Sequence, residues 1–126
     1  MSTTVTDLER TVNSGLTTTI KKSEINFDQL FIDIDIENLI STILFLKTNE
    51  KCRFKQLIDI TAVDYPEKEK RFKMVYLLLS HENNLRIIIN VNIDEKEIVH
   101  SITKIFPSAN WMEREVFDMY GISFKE

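Results

Sequence analysis

Glu113, Arg114, Glu115 and Asp118 stand together in a stretch that is otherwise aromatic and apolar, Ser108-Ala109-Asn110-Trp111-Met112-Glu113-Arg114-Glu115-Val116-Phe117-Asp118-Met119-Tyr120-Gly121. Clustered carboxylates are the groups of general acid–base chemistry, which needs one carboxyl with a raised pKa beside a substrate cleft. Arg114 lies within ion-pair reach of Asp118 on a helix. A neighbouring guanidinium favours the charged carboxylate, the wrong direction for a general acid. At helical spacing Arg114, Glu115 and Asp118 fall on the side of Trp111, whereas Met112, Val116, Met119 and Tyr120 form another stripe. Three uses fit: acid–base catalysis, an ordinary solvated face, and an ion network that fixes the helix or docks it onto a partner. The balance falls to the last. Arg makes two-pronged contacts with carboxylates, and Trp and Arg are enriched in protein interfaces.

The remaining reactive residue types lack partners in the sequence. His81 and His100 are the only histidines, and neither has a metal-ligating residue three or four positions on; a transition-metal site needs three or four converging ligands. Ser80 precedes His81, but neighbours on a strand point to opposite faces, so they do not form a nucleophile and base. Cys52 is the single cysteine. Lys51 and Arg53 beside it favour a thiolate, yet no second cysteine accompanies it, and an unremarkable thiol is expected. Asp59 and Asp64 flank Thr61-Ala62-Val63 at a strand end; they fit either a partner contact or outward polar positions leading into a turn. With only two glycines, a Gly-rich phosphate loop is excluded.

These residues must be positioned by a short chain. Its 126 residues, 43% hydrophobic and 29% charged, suit one soluble domain able to bury a core. A net charge of −4 argues against a nucleic-acid surface, where a clustered basic excess is expected. No apolar run is long enough to cross a bilayer, and the opening residues show no secretory pattern. Residues 5–13 read as a helix ended by Gly15. Residues 16–25 and 27–36 read as strands joined by a hairpin near 23–26. Asp35 is placed to cap a helix carrying Leu39, Ile40, Ile43, Leu44 and Leu46. A strand over 54–63 puts Phe54, Ile58, Ile60 and Ala62 on one face. Residues 72–80 are apolar on both faces, which marks a central strand or one covered by another protein. Leu85, Ile87, Ile89, Val91 and Ile93 form the inward row of the next strand. Asp94-x-x-Glu97 has the form of a capping box opening a helix through Ile98, Ile102, Ile105 and Phe106 that Pro107 ends. Asn110-x-x-Glu113 repeats the pattern for the last helix, which stops at Gly121. The order is α-β-β-α-β-β-β-α-α: an α+β fold, two layers, with a mixed, largely antiparallel sheet and helices on one face. The first 25 residues, being the most polar, are expected to be the most mobile.

Three blocks together resemble a known family: Leu57-Ile58-Asp59-Ile60-Thr61-Ala62-Val63-Asp64-Tyr65-Pro66, Arg71-Phe72-Lys73-Met74-Val75-Tyr76-Leu77-Leu78-Leu79-Ser80, and Asn110 through Gly121 with its Glu-Arg-Glu-x-x-Asp core. This is similar to the 30-kDa-type subunit of respiratory complex I, the proton-pumping NADH:quinone oxidoreductase. The likeness is strong over residues 38–125 and only a matter of pattern before them. Tyr120 stands where many members have Phe. The resemblance implies a structural and assembly subunit without an active site of its own, placed in the hydrophilic arm against the 49-kDa-type quinone-site subunit. It implies no cofactor on this chain, with FMN, iron–sulfur clusters, NADH and quinone handled by the whole complex. It implies no nucleic acid, and indirect membrane association at the cytoplasmic face of a bacterial inner membrane or the matrix face of a mitochondrial one. Trp111, Glu113, Arg114, Glu115 and Asp118, with Asp59 and Asp64, are the expected partner-binding residues. Family members continue into a His-Pro-Asp-Leu-Arg-like segment and a basic tail that wraps the neighbour. The sequence ends before that point, so residues 1–126 are expected to be a single but truncated domain. Two other functions fit the residues: a scaffold subunit of a related quinone- or hydrogenase-linked membrane complex, and a small acid–base enzyme using Glu113, Glu115 or Asp118.

Overall fold

The computed structural model describes residues 4–126. The elements in chain order are α1 (Val5–Gly15), β1 (Ile20–Asn26), β2 (Gln29–Ile34), a single 3-10 turn at Ile36–Asn38, α2 (Leu39–Thr48), β3 (Gln56–Asp64), β4 (Phe72–Ser80), β5 (Leu85–Ile93), β6 (Val99–His100), α3 (Ala109–Tyr120) and β7 (Phe124–Lys125). Five strands form one sheet in the order β1-β2-β5-β4-β3, and β6 and β7 form a separate pair. All neighbours in the large sheet are antiparallel except β2 and β5. The expected α+β architecture is therefore the one observed.

Alternation decides which sheet face is covered. Phe72, Met74, Tyr76, Leu78 and Ser80 of β4 are buried, and the residues between them are half-buried. Leu30, Ile32 and Ile34 of β2 and Ile87, Ile89, Val91 and Ile93 of β5 join the same core as Leu8 and Val12 of α1, Leu39, Ile43 and Leu46 of α2, and Ala109 and Val116 of α3. The helices thus cover one face. The far face carries the row Phe31, Ile88, Leu77 and Asp59, paired across four strands. Of the first 25 residues, 1–3 lie outside the described residues; the rest contribute α1 and most of β1, with Leu8 and Val12 fully buried. Thr4 and Asp7 close a capping box at the start of α1.

Four local expectations need correction. Asp35 does not cap with its side chain; it pairs with Lys21 at 3.1 Å. In β3 the register shifts between Leu57 and Asp59. That bulge gives the core position to Leu57 and leaves Ile58 half-buried. The hairpin turn lies at Phe27-Asp28, later than 23–26. Lastly, residues 94–106 form no helix. The capping contacts exist locally, since the Asp94 N–H donates to Glu97 Oε1 at 3.0 Å and the Lys96 N–H to Asp94 Oδ1 at 2.8 Å. Helix propagation fails because partners elsewhere take the backbone. The N–H groups of Val99 and Ser101 donate to the carbonyls of Ser123 and Lys125, and Lys47 Nζ donates to the Ile105 carbonyl at 2.6 Å. β-Branched Ile98, Val99, Ile102, Thr103 and Ile105 weaken the helical alternative further.

Candidate functional site

Helix α3 lies over β3 and divides its charged motif between two environments. It starts after Ser108, which makes no side-chain cap, and ends at Gly121, whose φ of 72° is the left-handed C-cap conformation. Successive helical residues are about 100° apart. The stripe that faces inward is Ala109, Glu113 and Val116, with Met112 and Tyr120 packed at its edge. Met119, expected in that stripe, is 75% exposed.

Glu113 is only 6% exposed and does not close a capping box with Asn110. One carboxylate oxygen accepts the Ser101 hydroxyl at 2.7 Å, and the other accepts the Ile102 N–H at 2.9 Å. Burial raises its pKa above the ordinary carboxyl value, opposed by those two hydrogen bonds. The carboxylate thereby ties α3 to the segment after β6. Beneath it lies Tyr76, fully buried, with no hydrogen-bond partner for its hydroxyl among the described residues. Burial, and then the charge of Glu113, push that phenol far above its usual pKa. An open groove bordered by Ser101, Thr103, Glu113, Arg114, Phe117 and Lys125 runs alongside.

The outward face holds Arg114, Glu115 and Asp118, all exposed, between Trp111, 67% exposed, and Phe117, 51% exposed. None of the three charged groups makes an ion pair or side-chain hydrogen bond among the described residues, and the expected Arg114–Asp118 pair is not formed. The face is therefore an unpaired charge pattern set among aromatic side chains.

Asp59 and Asp64 sit apart from each other in environment. Asp59 is exposed beside the β3 bulge, its Oδ1 accepting the Ile60 N–H at 2.9 Å. Asp64 closes the β3–β4 connection through a two-pronged pair with Arg71 at 2.7 and 2.9 Å. That guanidinium holds the Asp64 carboxyl below its ordinary value. His81 hydrogen-bonds Gln56, and His100 lies exposed in β6. Cys52 is buried, which pushes its thiol up to about 11, so burial overrides the flanking Lys51 and Arg53. Among the described residues no group of His, Cys, Asp or Glu is arranged to hold a metal ion, and no helix is long and apolar enough to cross a membrane.

Sequence reasoning did not foresee the inward turn of Glu113. The signal was present: Glu113 sits four residues after Ala109 and three before Val116, on the apolar stripe. It also missed the exposed Phe117.

Residues 32–126 match the family model described as "Respiratory-chain NADH dehydrogenase, 30 Kd subunit". The chain belongs to this family. The 30 Kd subunit match runs from within β2 through β7 and so includes the whole of α3. A curated relative, an NADH-quinone oxidoreductase subunit of Ruegeria pomeroyi, is 52% identical over 80% of this chain and 50% of its own length. Its namesake from Mesorhizobium japonicum is 37% identical over 98% of this chain and 62% of its own length. The chain thus spans half to three fifths of these relatives. Among solved structures, "Structure of the membrane-bound sulfane sulfur reductase (MBS), an archaeal respiratory membrane complex" contains a chain that superposes with a TM-score of 0.82 at 20% identity, covering 95% of this chain and 69% of that one. At that identity the likeness establishes the fold.

Proposed function

We propose that this chain is a non-catalytic structural subunit in the hydrophilic arm of a proton-pumping NADH:quinone oxidoreductase, seated against the 49-kDa-type quinone-site subunit through the outward face of α3. The chain acts as one folding unit, a reading supported by the core that joins all three helices to the sheet among the described residues. FMN, the iron–sulfur clusters, NADH and quinone are handled by neighbouring chains. Attachment to the membrane is indirect, at the cytoplasmic face in a bacterium or the matrix face in a mitochondrion.

The observation that carries this proposal is the face of Trp111, Arg114, Glu115, Phe117 and Asp118. It is exposed, its charged groups are unpaired among the described residues, and it carries Trp111 and Arg114, two of the residue types that dominate interface energetics. Glu113 supports it indirectly by fixing the helix from below, and Asp64 by fixing the β3–β4 loop. Asp59 remains available as an exposed carboxylate at the sheet edge.

The test is a pull-down of the 49-kDa-type subunit by the wild-type chain and by Arg114→Ala and Trp111→Ala variants, at equal folded fraction by circular dichroism. Loss of a desolvated charge partner or an aromatic anchor costs about 2–5 kcal/mol in such interfaces. Recovery of the partner should therefore fall by more than tenfold. Undiminished recovery by both variants rejects docking through α3.

One observation favours an acid–base role: Glu113 borders an open groove and has a raised pKa. Against it, each of its oxygens already accepts a hydrogen bond from the chain itself, and neither histidine lies in that groove. Turnover of a substrate by the purified chain, abolished by Glu113→Gln, would establish catalysis in place of scaffolding.

A further inference from the structure

β1 is an edge strand, with β2 on one side and no strand on the other among the described residues. The turn at Phe27-Asp28 pairs Asn26 with Gln29. The backbone groups of Asn26, Glu24 and Lys22 therefore point at β2, and by antiparallel alternation those of Ser23 and Ile25 point outward. Among the described residues nothing in the chain meets those outward groups. Such a row is a template for another strand. Lys22 and Glu24 stand beside it on the sheet face that no helix covers, opposite Asp33 and Phe31. Both are exposed, and neither makes an ion pair or side-chain hydrogen bond among the described residues.

We propose that β1 pairs antiparallel with the β1 of a second copy of this chain, about a two-fold axis through Ser23, so that two sheets become one continuous sheet. Residues directly opposite in an antiparallel pair share a face, and like charges there repel while opposite charges attract. Centred on Lys22, the axis would set two lysines against each other. Centred on Glu24, it would set two glutamates together. Centred on Ser23, it sets Lys22 against Glu24 twice, at the non-hydrogen-bonded positions where opposite side chains come closest. Charge thus selects the register in which Ser23 meets its copy through their outward backbone groups. Lys21, at the β1 bulge, is already held by Asp35 at 3.1 Å. On the helix side, Glu9 accepts the Ser23 hydroxyl at 3.3 Å and brings one like-charge approach to the axis, against two opposite-charge pairs on the other face. β3, the other edge, has no Lys or Arg between Gln56 and Asp64 and lacks this self-complementarity. α3 packs on β3, so the pairing leaves its outward face open and is independent of docking through it.

The test is sedimentation equilibrium of the purified full chain over a range of concentrations, with circular dichroism to confirm equal folding. Wild type should approach twice the chain mass of 14.8 kDa. Glu24→Lys sets lysine against lysine, and Lys22→Glu sets glutamate against glutamate; each variant alone should associate at least about tenfold more weakly. An equimolar mixture of the two restores both opposite-charge pairs and should recover association. A wild type that keeps the mass of one chain at every concentration overturns the proposal. Undiminished association by either variant overturns it too, since the contact would lie elsewhere, and so does a mixture no heavier than its separate components. Recovery of the 49-kDa-type subunit reads docking through α3 separately: its loss beside a surviving dimer leaves this pairing standing.

Discussion

Replacing Glu113 with Ala removes the side chain that hydrogen-bonds α3 to Ser101 and Ile102 just after β6. Two donors lose their acceptor, and their fates differ. The Ser101 hydroxyl already lies 2.9 Å from Thr103 Oγ1 and can turn to it. The Ile102 N–H donates to Glu113 and to nothing else among the described residues, and Ile102 is fully buried. An orphaned buried donor costs about 1–3 kcal/mol. Relief from burying the charge offsets part of that, so a net loss of about 2 kcal/mol is expected, which lowers Tm by roughly 6–10 °C for a chain of this size. Glu113→Gln keeps an acceptor for Ile102, and its amide can donate to Ser101, so it should sit within about 1 kcal/mol of wild type at neutral pH. The pH dependence separates burial from hydrogen bonding. Burial raises the folded-state pKa of Glu113. Above that pKa the ionised side chain carries its full desolvation penalty; as pH falls, the folded state binds the proton before the unfolded state does, and the penalty is relieved. The wild type should therefore gain on Glu113→Gln as pH is lowered from neutral through the carboxyl range. The assay is thermal unfolding followed by far-UV circular dichroism across that range. An unchanged Tm for Glu113→Ala refutes the structural tie, and a wild type that loses ground to Gln on acidification refutes burial as the dominant cause.

Tyr76→Phe removes a fully buried hydroxyl that has no partner among the described residues, so it should be neutral or stabilising by up to about 1 kcal/mol in urea unfolding. Gly121→Ala places a Cβ at a φ of 72°. Nothing lies within 4 Å to clash with it, so the expected loss of about 1–2 kcal/mol comes from backbone strain alone, and urea midpoints measure it. Cys52, with its thiol pushed up to about 11 by burial, should resist iodoacetamide at neutral pH in the folded chain and react readily in guanidinium; mass spectrometry reads both. Asp64→Asn should flatten the acid limb of the Tm–pH curve. A carboxyl held low by Arg71 contributes stability above the ordinary Asp pKa, and that contribution is lost as pH falls through its lowered folded value.

The parts of this fold that were legible in the sequence are those where burial and local periodicity agree. β4 and β5 alternate as written, and α2 occupies the apolar run that marks it. Gly121 ends α3 as expected because a left-handed C-cap has a residue-level signature. The misread places are those where a distant partner overrides a local preference. The segment 94–106 makes its capping hydrogen bonds and still does not become a helix, since Ser123, Lys125, Lys47 and Glu113 hold its backbone instead. The β3 bulge exchanges Ile58 for Leu57 without any Gly or Pro to announce it. Phe27-Asp28 carries no turn signal because the usual Asn-Gly chemistry is absent.

The Glu-Arg-Glu-x-x-Asp motif resists being read as one surface for a geometric reason. Neighbouring helical positions differ by about 100°, so Glu113 and Arg114 cannot both face a partner while Val116 faces the core. Here Glu113 takes the inward side and Arg114, Glu115 and Asp118 the outward one. Under docking through α3, substitutions within six consecutive residues should therefore separate into two classes. Glu113 variants should shift melting and its pH dependence, and should weaken association only as far as they unfold the chain. Arg114 and Asp118 variants, whose side chains make no ion pair or hydrogen bond to lose among the described residues, should leave stability within about 0.5 kcal/mol of wild type and act on association alone. If Arg114→Ala instead lowered Tm by as much as Glu113→Ala, its guanidinium would be holding the chain together, and the outward face would lose its claim to a partner.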